Sequence, residues 1–81
     1  MEFPCEFIIK IVGVNSDTFE LDVISITRKH FPNVKSDSIK TTLSQQENYL
    51  SISIVLYIHD QLTLDSLYID LTKHPDVKMV L

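Results

Sequence analysis

The side chains that could carry chemistry in this 81-residue sequence are few: His30, His59 and His74, the single Cys5, and two serines, Ser51 and Ser53, set among aliphatic residues. The histidines have no C-x-x-C or H-x₃-H partner spacing, so they do not read as metal ligands. They fall at the ends of expected elements, where capping and surface roles are the ordinary use of the residue. Cys5 stands between Pro4 and Glu6, with Glu2 close by, and has no adjacent base. Negative neighbours oppose thiolate formation, which makes it an inert thiol rather than a nucleophile. Ser51 and Ser53 alternate with large aliphatics, whereas a nucleophilic serine sits on a sharp turn with a histidine aimed at it. Gly13 is the only glycine, and one glycine builds neither a phosphate loop nor a dinucleotide turn. The expectation is no catalytic set, no metal and no cofactor.

The bulk composition narrows the classes further. Seven Lys+Arg against eleven Asp+Glu give a net charge of −4, which disfavours nucleic acid as a partner because such affinity comes largely from neutralising phosphates. A lone cysteine forms no internal disulfide, and a secreted domain of this size normally needs several. Glu2 and Glu6 stand where the basic region of a secretory leader belongs, and no apolar run approaches the ~18 residues of a membrane span. A cytoplasmic protein that touches neither membrane nor nucleic acid is expected. With 44% apolar residues the chain reads as one globular domain over 1–81, with a single small core.

Any surface must be positioned by the elements, and these are legible from periodicity. Residues 5–14, rich in β-branched and aromatic side chains, read as a strand. Residues 17–31 read as a helix capped by Asp17 with Glu20 completing a capping box, its face carrying Phe19, Val23, Ile26 and His30, and stopped by Pro32. Residues 38–46 and 49–59 read as a hairpin turning at Glu47-Asn48, with the pairs Leu43–Ile52, Thr41–Ile54 and Ile39–Leu56. Residues 63–74 read as a second helix capped by Thr63, and 76–81 as a last strand with Val77, Met79 and Leu81 on one face. The order βαββαβ predicts an α+β, ferredoxin-like sandwich. Its four-stranded antiparallel sheet has order 4-1-3-2 and carries both helices on one face.

That arrangement leaves the other sheet face uncovered. With Phe7, Ile9 and Ile11 turned toward the helices, Ile8, Lys10 and Val12 point outward, joined by Val55 and Tyr57 from the neighbouring strand and by Val80 from the last. A solvated face is normally more polar, so this one reads as an interaction surface for a second copy or for a partner protein. The edge strands offer a rival route, pairing edge to edge. RNA-recognition modules share the architecture but stack bases on central-strand aromatics beside basic residues, and that signature is absent.

In order and spacing the chain resembles the YbeD-like family of small uncharacterised bacterial proteins. The matching residues are Phe3-Pro4, Phe7, Lys10 and Gly13 in the first strand, His30 and Pro32 at the first helix end, and Asn48-Tyr49, Ser51 and Ser53 in the hairpin. Leu67-Tyr68, Leu71 and Val77-Lys78-Met79-Val80-Leu81 complete them. The resemblance implies a fold like that of the ACT regulatory domain and a bacterial cytoplasmic setting, and it implies no reaction. ACT domains often sense amino acids with the loop after the first strand. That loop here is Gly13-Val14-Asn15-Ser16-Asp17, so Gly13, Asn15, Ser16 and Asp17 are the candidate ligand-binding residues on this alternative, although the Arg-Pro-Gly-like run typical of such loops is missing. The reading is a non-enzymatic regulatory or interaction module. Ligand sensing is the alternative, and a small Ser- or His-based enzyme is the second alternative.

Overall fold

The computed structural model describes residues 2–81. The elements run β1 (Cys5–Val14), α1 (Phe19–His30), a 3₁₀ turn at Ser36–Ser38, β2 (Ile39–Leu43), β3 (Tyr49–Ile58), α2 (Gln61–Thr72) and β4 (Val77–Val80). The sheet order is β2-β3-β1-β4, all neighbours antiparallel, which is the predicted 4-1-3-2 order. Both helices lie on one face, as a ferredoxin-like sandwich requires.

Alternation along the two central strands builds the core. Ile9 and Ile11 on β1 and Leu50, Ile52, Ile54, Leu56 and Ile58 on β3 are buried beneath Phe19 and Val23 of α1 and Leu64, Leu67 and Leu71 of α2. The one buried polar side chain among the described residues, Thr27, satisfies its hydroxyl on the Val23 carbonyl at 2.8 Å. Gly13 sits where the Phe19 ring lies against the strand. A Cβ there would overlap Phe19 Cζ and stand 2.5 Å from the Asp76 carbonyl oxygen, so only glycine fits.

Four local expectations are corrected. The hairpin register is shifted by two residues, pairing Leu43 with Leu50, Thr41 with Ile52 and Ile39 with Ile54. A two-residue turn at Glu47-Asn48 would need φ > 0 at both positions without a glycine. The chain instead makes a four-residue loop over 45–48, closed by Ser44 N–H to Tyr49 O at 3.0 Å, with Glu47 alone at positive φ. Because the shift is even, no side chain changes face.

Helix α1 begins at Phe19, not at residue 17. Its N-cap is Thr18, no side chain caps it, and the Asp17–Glu20 capping box does not form. The chain enters through a turn in which the Phe19 N–H meets the Ser16 carbonyl at 3.4 Å, leaving Thr18 already in helical conformation. Helix α2 begins two residues early because Asp60, not Thr63, caps it, its carboxylate accepting the Thr63 N–H at 2.8 Å.

In β4 a bulge opposite Val12/Gly13 changes the faces. Val77 pairs with Gly13 and Val80 with Ile11, both on the core side, while Met79 pairs with Val12 on the outer side. Val80 therefore does not join the open face, and Met79 and Leu81 do not share a face with Val77.

Candidate interaction surface

The face opposite the helices is built by alternate residues of three adjacent strands. The β1–β3 register sets Ile8 beside Val55, Lys10 beside Ser53, Glu6 beside Tyr57 and Val12 beside Ser51. On the other side of β1, Met79 is opposite Val12. Leu81 exchanges two backbone hydrogen bonds with Lys10, at 3.0 and 2.8 Å, which puts its side chain on the same face. Ile8 is 62% exposed, Tyr57 57%, Met79 51% and Leu81 59%, while Val12 and Val55 are half-buried between them. Six apolar or aromatic side chains thus lie across β3, β1 and β4 in two groups, Tyr57, Val55 and Ile8 on one side and Val12, Met79 and Leu81 on the other, parted by the polar row Lys10, Ser53 and Lys40. Neither Lys10 nor Glu6, both exposed, has an ion-pair partner among the described residues. Tyr57 keeps its ring upright against His59, edge to face at 5.1 Å.

The structure thus brings together all five residues expected of this surface: Ile8, Lys10, Val12, Val55 and Tyr57. Sequence reasoning missed Met79 and Leu81. A glycine inside a strand often marks a bulge, and Gly13 was that signal.

The four loop residues of the ligand-sensing alternative lie at the opposite end of β1 from Cys5. Gly13 is covered by Phe19. Asn15 donates its side-chain amide to the Glu47 carbonyl at 3.0 Å, and its backbone N–H to the Asn48 carbonyl at 3.0 Å. Ser16 donates to Asp76 Oδ2 at 3.0 Å, and Asp17 is exposed with no side-chain partner among the described residues. The loop is stitched to the hairpin turn and to the start of β4 by its own polar groups.

Two histidines make contacts that sequence reasoning did not foresee. His30, at the end of α1, binds Asp70 of α2 through Nε2, and His74, just past α2, binds Asp22 of α1 through Nε2 at 2.9 Å. The Asp76 N–H donates to His74 Nδ1 at 3.1 Å, so the His74 proton resides on Nε2 and is donated to Asp22. The two pairs tie the antiparallel helices together across their seam. Spacing in sequence, 40 and 52 residues, hides both.

These bonds hold two carboxylates below their ordinary range. Asp22 is lowered chiefly by the His74 hydrogen bond, helped by the Thr18 hydroxyl, and Asp70 chiefly by the His30 hydrogen bond, helped by Lys29 at 3.5 Å. A carboxylate that titrates lower in the folded than in the unfolded chain contributes stability that is complete above its ordinary value, 3.8 here, and is lost as the pH falls through the folded value. The contribution of these carboxylates to the urea unfolding midpoint is therefore expected to hold from neutral pH to about 4 and to be lost as the pH drops further. The Asp22→Asn/Asp70→Asn variant should start lower at neutral pH and lose less on acidification. A variant that loses as much as the wild type would remove these carboxylates from the account.

Among the described residues no group of three or more His, Cys, Asp or Glu is placed to hold a metal ion, and no helix is long and apolar enough to cross a membrane. Cys5 is free and half-buried. A groove of about 530 Å³ opens at the end of the sheet, bordered by His30, Pro32, Lys35, Tyr57, His59 and Asp60.

Comparison with known proteins gives a family and a fold. Residues 1–81 match a family model described as a protein of unknown function, DUF493. A UPF0250 protein of Neisseria meningitidis serogroup C is 36% identical over 81 residues, covering all of this chain and 89% of that protein. One from Idiomarina loihiensis is also 36% identical, covering all of this chain and 90% of its own. Among solved structures, the ACT domain of GTP pyrophosphokinase from Chlorobium tepidum superposes in its solution form with a TM-score of 0.71, covering 94% of this chain and 84% of that one at 17% identity. The crystal form of the same domain superposes at 0.68 and 19% identity, covering 95% and 97%. At that identity the likeness is one of fold. With the match running from end to end, the chain belongs to the DUF493/UPF0250 family, the YbeD-like proteins, and carries an ACT-like ferredoxin fold.

Proposed function

We propose that this protein is a non-enzymatic association module of the bacterial cytoplasm and that the outer sheet face is its binding surface. The observation that carries the reading is the set of outward apolar side chains Ile8, Val12, Val55, Tyr57, Met79 and Leu81, held on one sheet face with no described part of the chain covering them. The core residues Ile9, Ile11, Ile52, Ile54, Leu56 and Ile58 are all at 0% exposure; large apolar side chains are also exposed on the helices, Leu21 on α1 and Leu62 and Ile69 on α2, whereas on the outer sheet face they stand on adjacent strands. An apolar face of this kind marks contact with another protein.

The absence of chemistry from this reading has local support. Both ring nitrogens of His74 are engaged, and Ser51 and Ser53 lie mid-strand rather than on a turn. A ligand entering the Gly13–Asp17 loop would have to displace the Ser16–Asp76 and Asn15–Glu47 bonds before it could make its own. Photo-crosslinking in bacterial cells from position 57, set against a position on the helix layer, tests the association reading.

A further inference from the structure

We infer that the occupant of the outer face is a second copy of this chain, packed face to face about a two-fold axis that crosses the strands at Ile8. The inference rests on the association reading above and names its partner. Its evidence is the order of residues along the outward side of β1: Glu6, Ile8, Lys10, one negative and one positive charge equidistant from an apolar centre. Both charges are exposed and lack ion-pair partners among the described residues.

Two sheets that pack face to face and are related by a two-fold have their axis in the plane between them. For sheets whose strands stay nearly aligned, the axis runs either close to the strands or across them. An axis along β1 stacks each residue at the level of its own copy, so Glu6 meets Glu6 and Lys10 meets Lys10. Like charges brought together and stripped of water oppose association. An axis across the strands at Ile8 reverses β1 over its copy. Ile8 then meets Ile8, and each Glu6 meets the Lys10 of the other copy, twice. The β1–β3 register carries the same operation to the neighbouring strand, because Val55 is at the level of Ile8, Tyr57 at that of Glu6 and Ser53 at that of Lys10. Val55 therefore meets Val55, and the Tyr57 hydroxyl is brought over Ser53 of the other copy. One axis makes the outward residues of the two central strands from Glu6 to Lys10 self-complementary. Sheets stack about 10 Å apart, a gap that Glu and Lys side chains span from opposite sides.

The size of the face sets the strength. About this axis the edge strands β2 and β4, which lie wholly on the Lys10 side of Ile8, do not face their own copies. The overlap is that of β1 and β3 over some seven residues, roughly 230 Å² of sheet per copy at about 4.8 Å between strands and about 3.4 Å per residue. Even with side-chain relief the total for both copies stays below the ~1,000 Å² at which stable specific interfaces begin, the size of a transient contact. A weak, reversible dimer with a dissociation constant on the order of 100 µM is expected rather than a permanent one. Its association should weaken with salt, since ions screen the Glu6–Lys10 attraction.

The test is a charge-swap series read by sedimentation equilibrium at low salt. Wild type is expected to dimerise. E6K sets two cations against each other at each contact and K10E sets two anions, so each single variant should dissociate at least about tenfold more readily. The double variant E6K/K10E should return to within about threefold of wild type, because both contacts are restored with their signs exchanged. An equimolar mixture of the two single variants should form a heterodimer that neither forms alone. Thermal unfolding of all four proteins should be alike, since both positions are exposed, and this separates loss of association from loss of fold. A wild type that is monomeric at about 1 mM overturns the inference, and so do single variants that dimerise as well as wild type or a double variant that fails to recover. Failure here is distinct from failure of the association reading. Crosslinks from position 57 to a different protein would leave that reading standing while removing the second copy.

Discussion

Truncation of Ile54 to alanine is expected to remove about 2–5 kcal/mol from the folding free energy. Ile54 sits mid-way along β3, pairs with Ile9 on one side and Ile39 on the other, and has no exposed surface. The loss has two parts, the transfer free energy of the removed methyl and methylene groups and the cavity left beneath two helices that cannot both close onto it. A domain of this size has only about 5–15 kcal/mol in total, so the variant should be close to unfolding at body temperature. Ser53→Ala, one residue away on the opposite face, should cost less than about 1 kcal/mol, because its side chain is half-buried and carries no apolar packing. Urea denaturation of the two variants side by side gives the comparison. Equal losses would mean that the two faces of β3 had been exchanged.

Gly13→Ala should be nearly as damaging, for the opposite reason. The added methyl would overlap Phe19 Cζ and press on the Asp76 carbonyl at 2.5 Å. Neither neighbour is free to yield. Phe19 is fully buried, and the Asp76 carbonyl accepts the Val14 N–H at 2.9 Å, part of the seam that holds β4 to β1. Overpacking of this kind costs about 1–3 kcal/mol and occasionally more. Because the clash is chiefly with one ring, Phe19→Leu in the same chain should recover part of the loss, so the two substitutions should be non-additive. Losses that simply add would show that the strain lies in the backbone at the bulge and not in the ring contact.

The contrast between these two sites also explains what was legible in the sequence. Ile54 announces its role through the alternation Leu50, Ile52, Ile54, Leu56, Ile58, a period-two signal that needs no knowledge of the partner strands. The same signal placed all five expected residues of the outer face, because a strand with one buried side declares the other. What failed was whatever depended on the exact geometry of a junction. The hairpin register moved by two because Ser44, not Gln46, closes the loop, a choice made by turn stereochemistry rather than by hydrophobicity. The start of α2 moved because Asp60 reached the Thr63 N–H from an extended position that no pattern of apolar residues reveals. The bulge opposite Gly13 exchanged Val80 for Met79 and Leu81 on the outer face, a one-residue irregularity that reverses the parity of everything after it. The two His–Asp pairs join residues of different helices, and only the packed structure brings them within reach.

The even shift in β2 preserves faces and leaves the outer surface untouched. The odd shift in β4 enlarges it. Two large apolar side chains join those that the alternation of the central strands had already marked. The face therefore carries a second apolar group, Val12, Met79 and Leu81, at the edge of the sheet beside the central one.

Coverage of the outer face in the cell is tested most directly by replacing Tyr57 with a photoreactive phenylalanine analogue. Ser25, exposed on α1 in the helix layer, is replaced by the same group as a control. After irradiation of living bacterial cells, the position-57 protein should shift to a discrete adduct and the position-25 protein should not. An adduct of twice the chain's mass identifies the second copy, and one of any other mass a different partner protein. A position-57 protein that stays at the mass of the free chain, or that gives only the same diffuse background as position 25, would contradict the account and leave Lys10 and Tyr57 lying over the aliphatic residues with their polar ends in water.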